Sequence, residues 1–279
     1  MKFQFLGTAA SEGFPALFCN CKYCNEARLR GGKNIRTRSQ SIVNDELLID
    51  FPADTYWHAI QNNLRLDKVK TLIVTHSHSD HFDAYDLCTR GHWFAHDLAE
   101  EKMHIVCNQA VYDLYLKDAR DISPVVSDNL IFHVIKPFDS LTLGDYVITA
   151  LPARHSQKPE QALFYVIQSN GKTILYAHDT GYFFKECFDF IKSKGYVFDF
   201  ATFDCTNVDG ECGEEWSHMS FTEISKVVQN LRETGAITDK TLLYSNHFSH
   251  NGNPLHEETC KIAKTYGVEV SYDGLSLEF

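Results

Sequence analysis

The densest chemistry in the sequence sits in His76-Ser77-His78-Ser79-Asp80-His81, directly after the apolar stretch 69–75. Four potential ligands in six residues do not fit one helix face; in a loop leaving a strand, alternate side chains can converge on one point. Imidazole and carboxylate suit borderline and hard divalent cations. A second cluster, Cys19-Asn20-Cys21-Lys22-Tyr23-Cys24, offers three thiolates, one short of the closed shell of a structural zinc. Arg36 and Arg38, two residues apart, could meet a substrate phosphate as charge-assisted donors, or equally stand as solvated edge residues that discourage sheet extension. His92 and His96 are spaced i, i+4 in an aromatic-rich stretch, and no further metal is expected there.

Mixed strands and helices must position these groups. Alternation and turn chemistry predict strands over 2–6, 39–43 and 46–51, with a turn at Asn44-Asp45, and an apolar strand over 69–75 that runs straight into His76. Helical spacing over 53–64 sets Tyr56, Ile60 and Leu64 on one face; 82–98 reads as helix, 103–107 as strand and 110–119 as helix. In the second half, strands are expected over 130–135, 140–143, 146–152, 162–168 and 173–177, the last two joined across Asn170-Gly171. A helix over 184–194 closes at Gly195, 198–204 is a strand, and Ser220-Phe221-Thr222-Glu223 is a capping box opening a helix to about Arg232. A strand over 241–245 leads to His247, a helix covers 256–266, and strands over 268–271 and 275–279 form a last hairpin around Asp273-Gly274. Strands mixed with helices in both halves predict an α/β chain of two packed sheets with helices outside.

The 279 residues suffice for a sizeable core and read as one domain, without internal repeat, low-complexity tract or long linker. A composition of 44% hydrophobic and 23% charged residues excludes disorder and coiled coil for the bulk of the chain. No apolar run approaches the ~20 residues of a membrane span. Glu12, Gly13 and Pro15 break what could have been a leader core, so a cytoplasmic location is expected. A net charge of −11 repels phosphate backbones and disfavours nucleic acid as a partner. Nine cysteines, an odd number, argue against a disulfide framework, and Cys88, Cys107 and Cys205 look like small core residues.

His-x-His-x-Asp-His after an apolar strand resembles the signature of the metallo-β-lactamase superfamily. The rest of that pattern follows in order: Leu6-Gly7-Thr8, Leu48-Ile49-Asp50, His155 after 151–154, Asp179 in Tyr176-Ala177-His178-Asp179-Thr180-Gly181, and His247 after 243–246. The resemblance implies a four-layer αββα metallo-β-lactamase sandwich with metals in loops at one edge. It gives a first metal His76, His78 and His155, a second Asp80, His81 and His247, and makes Asp179 the bridge, with Asp50 behind them. The two ions would be Mn or Zn, or Fe, and would lower the pKa of a shared water. His178 is expected to point into a sheet.

The cysteine cluster resembles that of a smaller group within the superfamily, the cyclic phosphodiesterase of the carbon–phosphorus lyase pathway and its relatives. That likeness implies a Cys-rich zinc-binding insert at about 19–24, in which Cys19, Cys21 and Cys24 hold one structural zinc with His250. It also makes His218 a general acid for an alkoxide leaving group, acting with Asp80 and Asp179. The function expected is hydrolysis of a small phosphodiester, cyclic or open, with a small phosphate ester as partner, no membrane, and a homodimer as assembly. Hydrolysis of a carboxyl ester, thioester, lactone or lactam, tRNA 3′-processing, and a metal-binding accessory role without turnover are the alternatives.

Overall fold

The computed structural model describes residues 1–91, 94–119, 129–156 and 158–279. The first half supplies strands β1 (Lys2–Gly7), β2 (Gln40–Val43), β3 (Leu47–Ile49), β4 (Thr71–Ile73), β5 (Met103–Cys107) and β6 (Leu130–Val134). The second half supplies β7 (Ser140–Leu143), β8 (Tyr146–Pro152), β9 (Leu163–Ser169), β10 (Lys172–Ala177), β11 (Phe200–Asp204), β12 (Leu242–Asn246), β13 (Glu269–Val270) and β14 (Ser276–Glu278). They form two sheets, ordered β14-β1-β2-β3-β4-β5-β6 and β13-β12-β11-β10-β9-β8-β7. Each sheet is antiparallel in one part and parallel in the other: β3 through β6 pair in parallel, as do β10 through β13. Asn44 and Asp45 both take positive φ, as the tight β2–β3 turn requires.

Period-2 alternation sends Phe3, Phe5, Ile49 and Ile73 inward against Ile148, Tyr165, Ile174 and Phe200 of the facing sheet. The other faces are covered by helices. Leu48, Leu72 and Ile105 pack with α3 (Ala84–Leu87) and α4 (Gln109–Asp118); Val166, Leu175 and Leu243 pack with α5 (Lys185–Lys194), α6 (Phe221–Glu233) and α7 (His256–Thr265). Four layers, αββα, result. Ser220 and Glu223 make both halves of the capping box that opens α6.

Four sequence expectations are corrected. The cysteine stretch runs into an unforeseen helix, α1 (Lys22–Arg30), whose N-cap is Cys21. The helix expected over 82–98 shrinks to α3, with Asp83 as its cap. In α2 (Thr55–Gln61) the supposed inner face is outside: Tyr56 and Ile60 are 73% and 56% exposed, while Thr55 and His58 are buried. Two turns of helix carry too few residues for a stripe to decide, and the hydrogen bonds of His58 decide instead. The last hairpin does not form, because β13 pairs with β12 in one sheet and β14 with β1 in the other. Asp273 crosses between them, its carboxyl group accepting from Thr8 Oγ1 and from the Thr37 N–H.

Candidate metal centre and catalytic cleft

Strand direction gathers the site. β3 and β4 are parallel, so Asp50 and His76 leave the first sheet at the same edge. β10, β11 and β12 are parallel, and β8, two antiparallel steps from β10, runs with them. Asp179, Asp204, His247 and His155 therefore all lie at or just past strand ends at one edge of the second sheet. The two edges meet: His81 Nε2 lies 3.3 Å from His247 Nε2. Asp50, Asp179 and His247 have positive φ, a conformation disfavoured for residues with a side chain and concentrated at functional sites.

Asp179 is the hub. Its Oδ2 lies 2.8 Å from His81 Nε2, 3.2 Å from His76 Nε2 and 3.6 Å from His155 Nε2; its Oδ1 lies 3.5 Å from His247 Nε2. Ligand atoms of His76, His78, His155 and Asp179 fall within 4.8 Å of one another, and so do those of Asp80, His81, Asp179 and His247. Asp179 belongs to both groups. His76 Nε2 and Asp179 Oδ1 are buried and make no hydrogen bond among the described residues, although imidazole and carboxylate atoms crowd them. Close approach without hydrogen-bond direction means that these lone pairs converge on shared points, the arrangement a pair of divalent cations would satisfy. Asp50 sits behind: one oxygen accepts from Thr75 N and Oγ1, the other is 2.7 Å from His81 Nδ1, which fixes that ring.

The field is mutual. Burial opposes charge on His81 and His247, yet the surrounding carboxylates outweigh it, lifting His81 well above its ordinary pKa and His247 to about 10. Burial likewise opposes charge on Asp179, but His247, His155 and His81 hold it well below the carboxylate range. Burial lowers His155 to about 4, leaving a free lone pair at neutral pH.

A carboxylate that sequence reasoning missed completes the cleft. Asp204, the last residue of β11, is fully buried and held as an anion by His218 and His247 against its desolvation. Its Oδ1 accepts from the N–H of Thr206 and Met219; its Oδ2 lies 2.9 Å from His218 Nδ1. His218 Nδ1 is thereby occupied, which leaves Nε2 as the other proton site of a ring that lines the cleft. Asp204 is the last residue of its strand, where Asp50 is the first after one, and that place at a strand end was its one sequence signal. The cleft has a volume of about 440 Å³, and His78, Asp80, His155, Asp179, His218 and His247 line it with Glu12, Thr206 and Ser249.

Cys19, Cys21, Cys24 and His250 form a separate group within 4.8 Å. Backbone N–H groups point at the sulfurs: Ala16 to Cys24, Cys24 to Cys21 and Cys21 to Cys19, at 3.3 to 3.4 Å. Cys21 Sγ is 3.9 Å from His250 Nδ1, and that contact, aided by the Cys24 N–H, lowers its thiol to about 6. Thiolate-stabilising donors and a fourth ligand from another loop fit a structural zinc.

Other expected residues lie elsewhere. Arg36 is 2% exposed: Nη1 donates to Thr8 Oγ1 and Ser271 O, and the guanidinium stacks 4.4 Å from the Phe248 ring. It cannot reach a substrate, and its role is internal. Arg38 pairs with Asp54 and meets the cleft only by donating to the Ser11 carbonyl. His178 is buried in the sheet beside Thr202 and Asn246. His96 is exposed, and His92 lies outside the described residues. Phe82 and Tyr115 are core, and no aromatic residue of the described part of 82–146 lines the cleft. No described helix is long and apolar enough to cross a membrane.

Residues 48–242 match the family described as the beta-lactamase superfamily domain. Coenzyme PQQ synthesis protein B of Klebsiella pneumoniae (strain 342) is 26% identical, over 99% of this chain and 98% of that protein. Among solved structures, Zn(2+)-bound PqqB from Methylobacterium extorquens aligns with TM-score 0.75 and 16% identity, covering all of both chains. A diphosphatase of the PhnP family aligns at 0.72 and 18%, over 100% of this chain and 97% of that one. The short form of human tRNase Z aligns at 0.68 and 15%, over 100% and 99%. The matched family spans more than half the chain, the two sheets are those of the metallo-β-lactamase sandwich, and the chain belongs to the metallo-β-lactamase superfamily of metal-dependent hydrolases.

Proposed function

We propose that the chain is a binuclear metal-dependent hydrolase of a small phosphodiester. The observation that carries this reading is the buried Asp204 carboxylate 2.9 Å from His218 Nδ1, beside the cluster centred on Asp179. His76, His78 and His155 would hold one ion, Asp80, His81 and His247 the other, and Asp179 both. Divalent ions so held supply Lewis acidity and activate water near neutral pH. The chain supplies the rest. Asp204 orients the His218 ring and raises its pKa against burial, so that a proton is available at Nε2. A phosphodiester expels an alkoxide, which needs that proton; a thioester hydrolase, whose thiolate leaves unprotonated, has less use for such a dyad. Cys19, Cys21, Cys24 and His250 would hold a structural zinc that fixes the first loop. The test is metal analysis followed by assay on phosphodiesters, thioesters and lactones. Diesterase activity that depends on His218 supports the reading; thioester or lactone hydrolysis without diesterase activity removes it. The full-length likeness to a coenzyme PQQ synthesis protein favours a second reading, a role in that synthesis, which would be read by replacing the relative in a host lacking it.

A further inference from the structure

One charge on the cleft wall is not used by the metal cluster. Among the described residues that line the cleft, Glu12 is the sole charged side chain apart from that cluster and His218, and no lysine or arginine joins it. Its Oε1 accepts from Ser249 Oγ at 2.5 Å and from the His250 N–H at 3.3 Å, and lies 3.9 Å from Nε2 of the His250 ring. Among the described residues its Oε2 has only the hydroxyl of Ser11, at 3.5 Å. One oxygen is thus anchored by the loop that brings His250 to the cysteines, and the other remains a free acceptor. The anchored half keeps this carboxylate in place.

We propose that Glu12 selects the substrate: a singly charged diester whose second arm carries no further anion and presents a cation or hydrogen-bond donor. This rests on the diesterase reading above and narrows it. An ionised carboxylate accepts hydrogen bonds and donates none, so hydroxyl, amine or ammonium complements it. A second phosphate near Glu12 would meet like charge with no lysine or arginine to offset it, because Arg36 is buried and Arg38 is paired with Asp54, while His218 is engaged by Asp204.

The probes are the p-nitrophenyl ester of thymidine 5′-phosphate with and without a 3′-phosphate, and p-nitrophenyl phosphorylcholine against bis-p-nitrophenyl phosphate. In the metal-loaded wild type, the 3′-phosphate should lower kcat/KM, and calorimetry should find thymidine 3′,5′-diphosphate bound more weakly than thymidine 5′-phosphate. Each effect should be roughly 3–10-fold, the size of one charge pair in a partly solvated cleft. Glu12→Gln keeps an oxygen for Ser249 and should erase both differences along with the preference for the choline ester, with zinc content and thermal midpoint retained. Equal or tighter binding of the diphosphate by the wild type overturns the proposal, even if the variant folds poorly. Unchanged discrimination in Glu12→Gln also overturns it. A wild type that hydrolyses thioesters or lactones and no diester overturns the functional reading and this inference together; an active diesterase without discrimination overturns this inference alone.

Discussion

A buried row of side chains behind the site contains one proton more than its ordinary forms supply. Gln40 Nε2 donates to Asp50 O and Thr55 Oγ1, so its Oε1 must face His58 Nδ1, at 2.6 Å. His58 Nε2 is 2.6 Å from Thr37 Oγ1, which is 2.6 Å from Asp273 Oδ2. Arg36 donates to Thr8 Oγ1, whose own proton goes to Asp273 Oδ1. The three contacts from Gln40 to Asp273 need three protons, and neutral His58 with the Thr37 hydroxyl brings two. The third belongs on Asp273. Burial raises that carboxyl to about 6, although its Thr37, Thr8 and Arg36 neighbours pull it down, and burial lowers His58 to about 4. An acid whose folded pKa is raised stabilises the fold below its unfolded pKa and loses that stability as pH rises through the folded one. A shift of about 2 units is worth about 3 kcal/mol, and roughly half of it should vanish between pH 5 and 8. Urea unfolding of metal-loaded wild type and Asp273→Asn over that range isolates the group. The stability difference between them should fall by that half as pH rises, and the wild type should show a carboxylic-acid infrared band that the variant lacks. A difference that is flat or rises with pH refutes the proton count.

Asp179→Ala should disturb both catalytic ions while the sandwich stays folded, which metal analysis and circular dichroism will read; full metal content with full activity contradicts the hub assignment. Cys21→Ser should release the zinc of the insert and lower thermal stability while the catalytic ions persist at least in part, and elemental analysis showing unchanged zinc removes that site. His218→Ala should slow alkoxide-leaving diesters by roughly 10²–10⁴-fold and spare nitrophenyl diesters, with metal content unchanged. Asp204→Asn should reproduce that leaving-group dependence, since the buried carboxylate acts through the His218 ring; equal losses on both substrate types indicate positioning of substrate instead.

The layers were legible because local signals agreed with them. The capping box at Ser220, the turns at Asn44-Asp45 and Asn170-Gly171, and the run into His76 each specify structure within a few residues. The candidate ligand residues stood out because they follow strand ends, and strand direction brings them together. What escaped is long-range. Asp273 bonds Thr37 across 236 positions, and that bond, not turn chemistry, carries the chain from one sheet to the other. Asp204 has no motif of its own and gains meaning only from His218 and His247 beside it. Arg36 stood open between phosphate ligand and solvated edge residue, and is neither, because sequence cannot tell a buried guanidinium from an exposed one.

The left-handed backbone at Asp50, Asp179 and His247 sets evolutionary drift against chemistry. Each such residue costs about 1 kcal/mol or more that glycine, and in part asparagine, would not. In the metal-free chain, exchange to those residues relieves backbone strain, and at Asp179 also thins a crowd of buried charge. Mutations that make the fold sturdier at these three places therefore tend to be the ones that empty the site. A stability-guided redesign would erase the centre first.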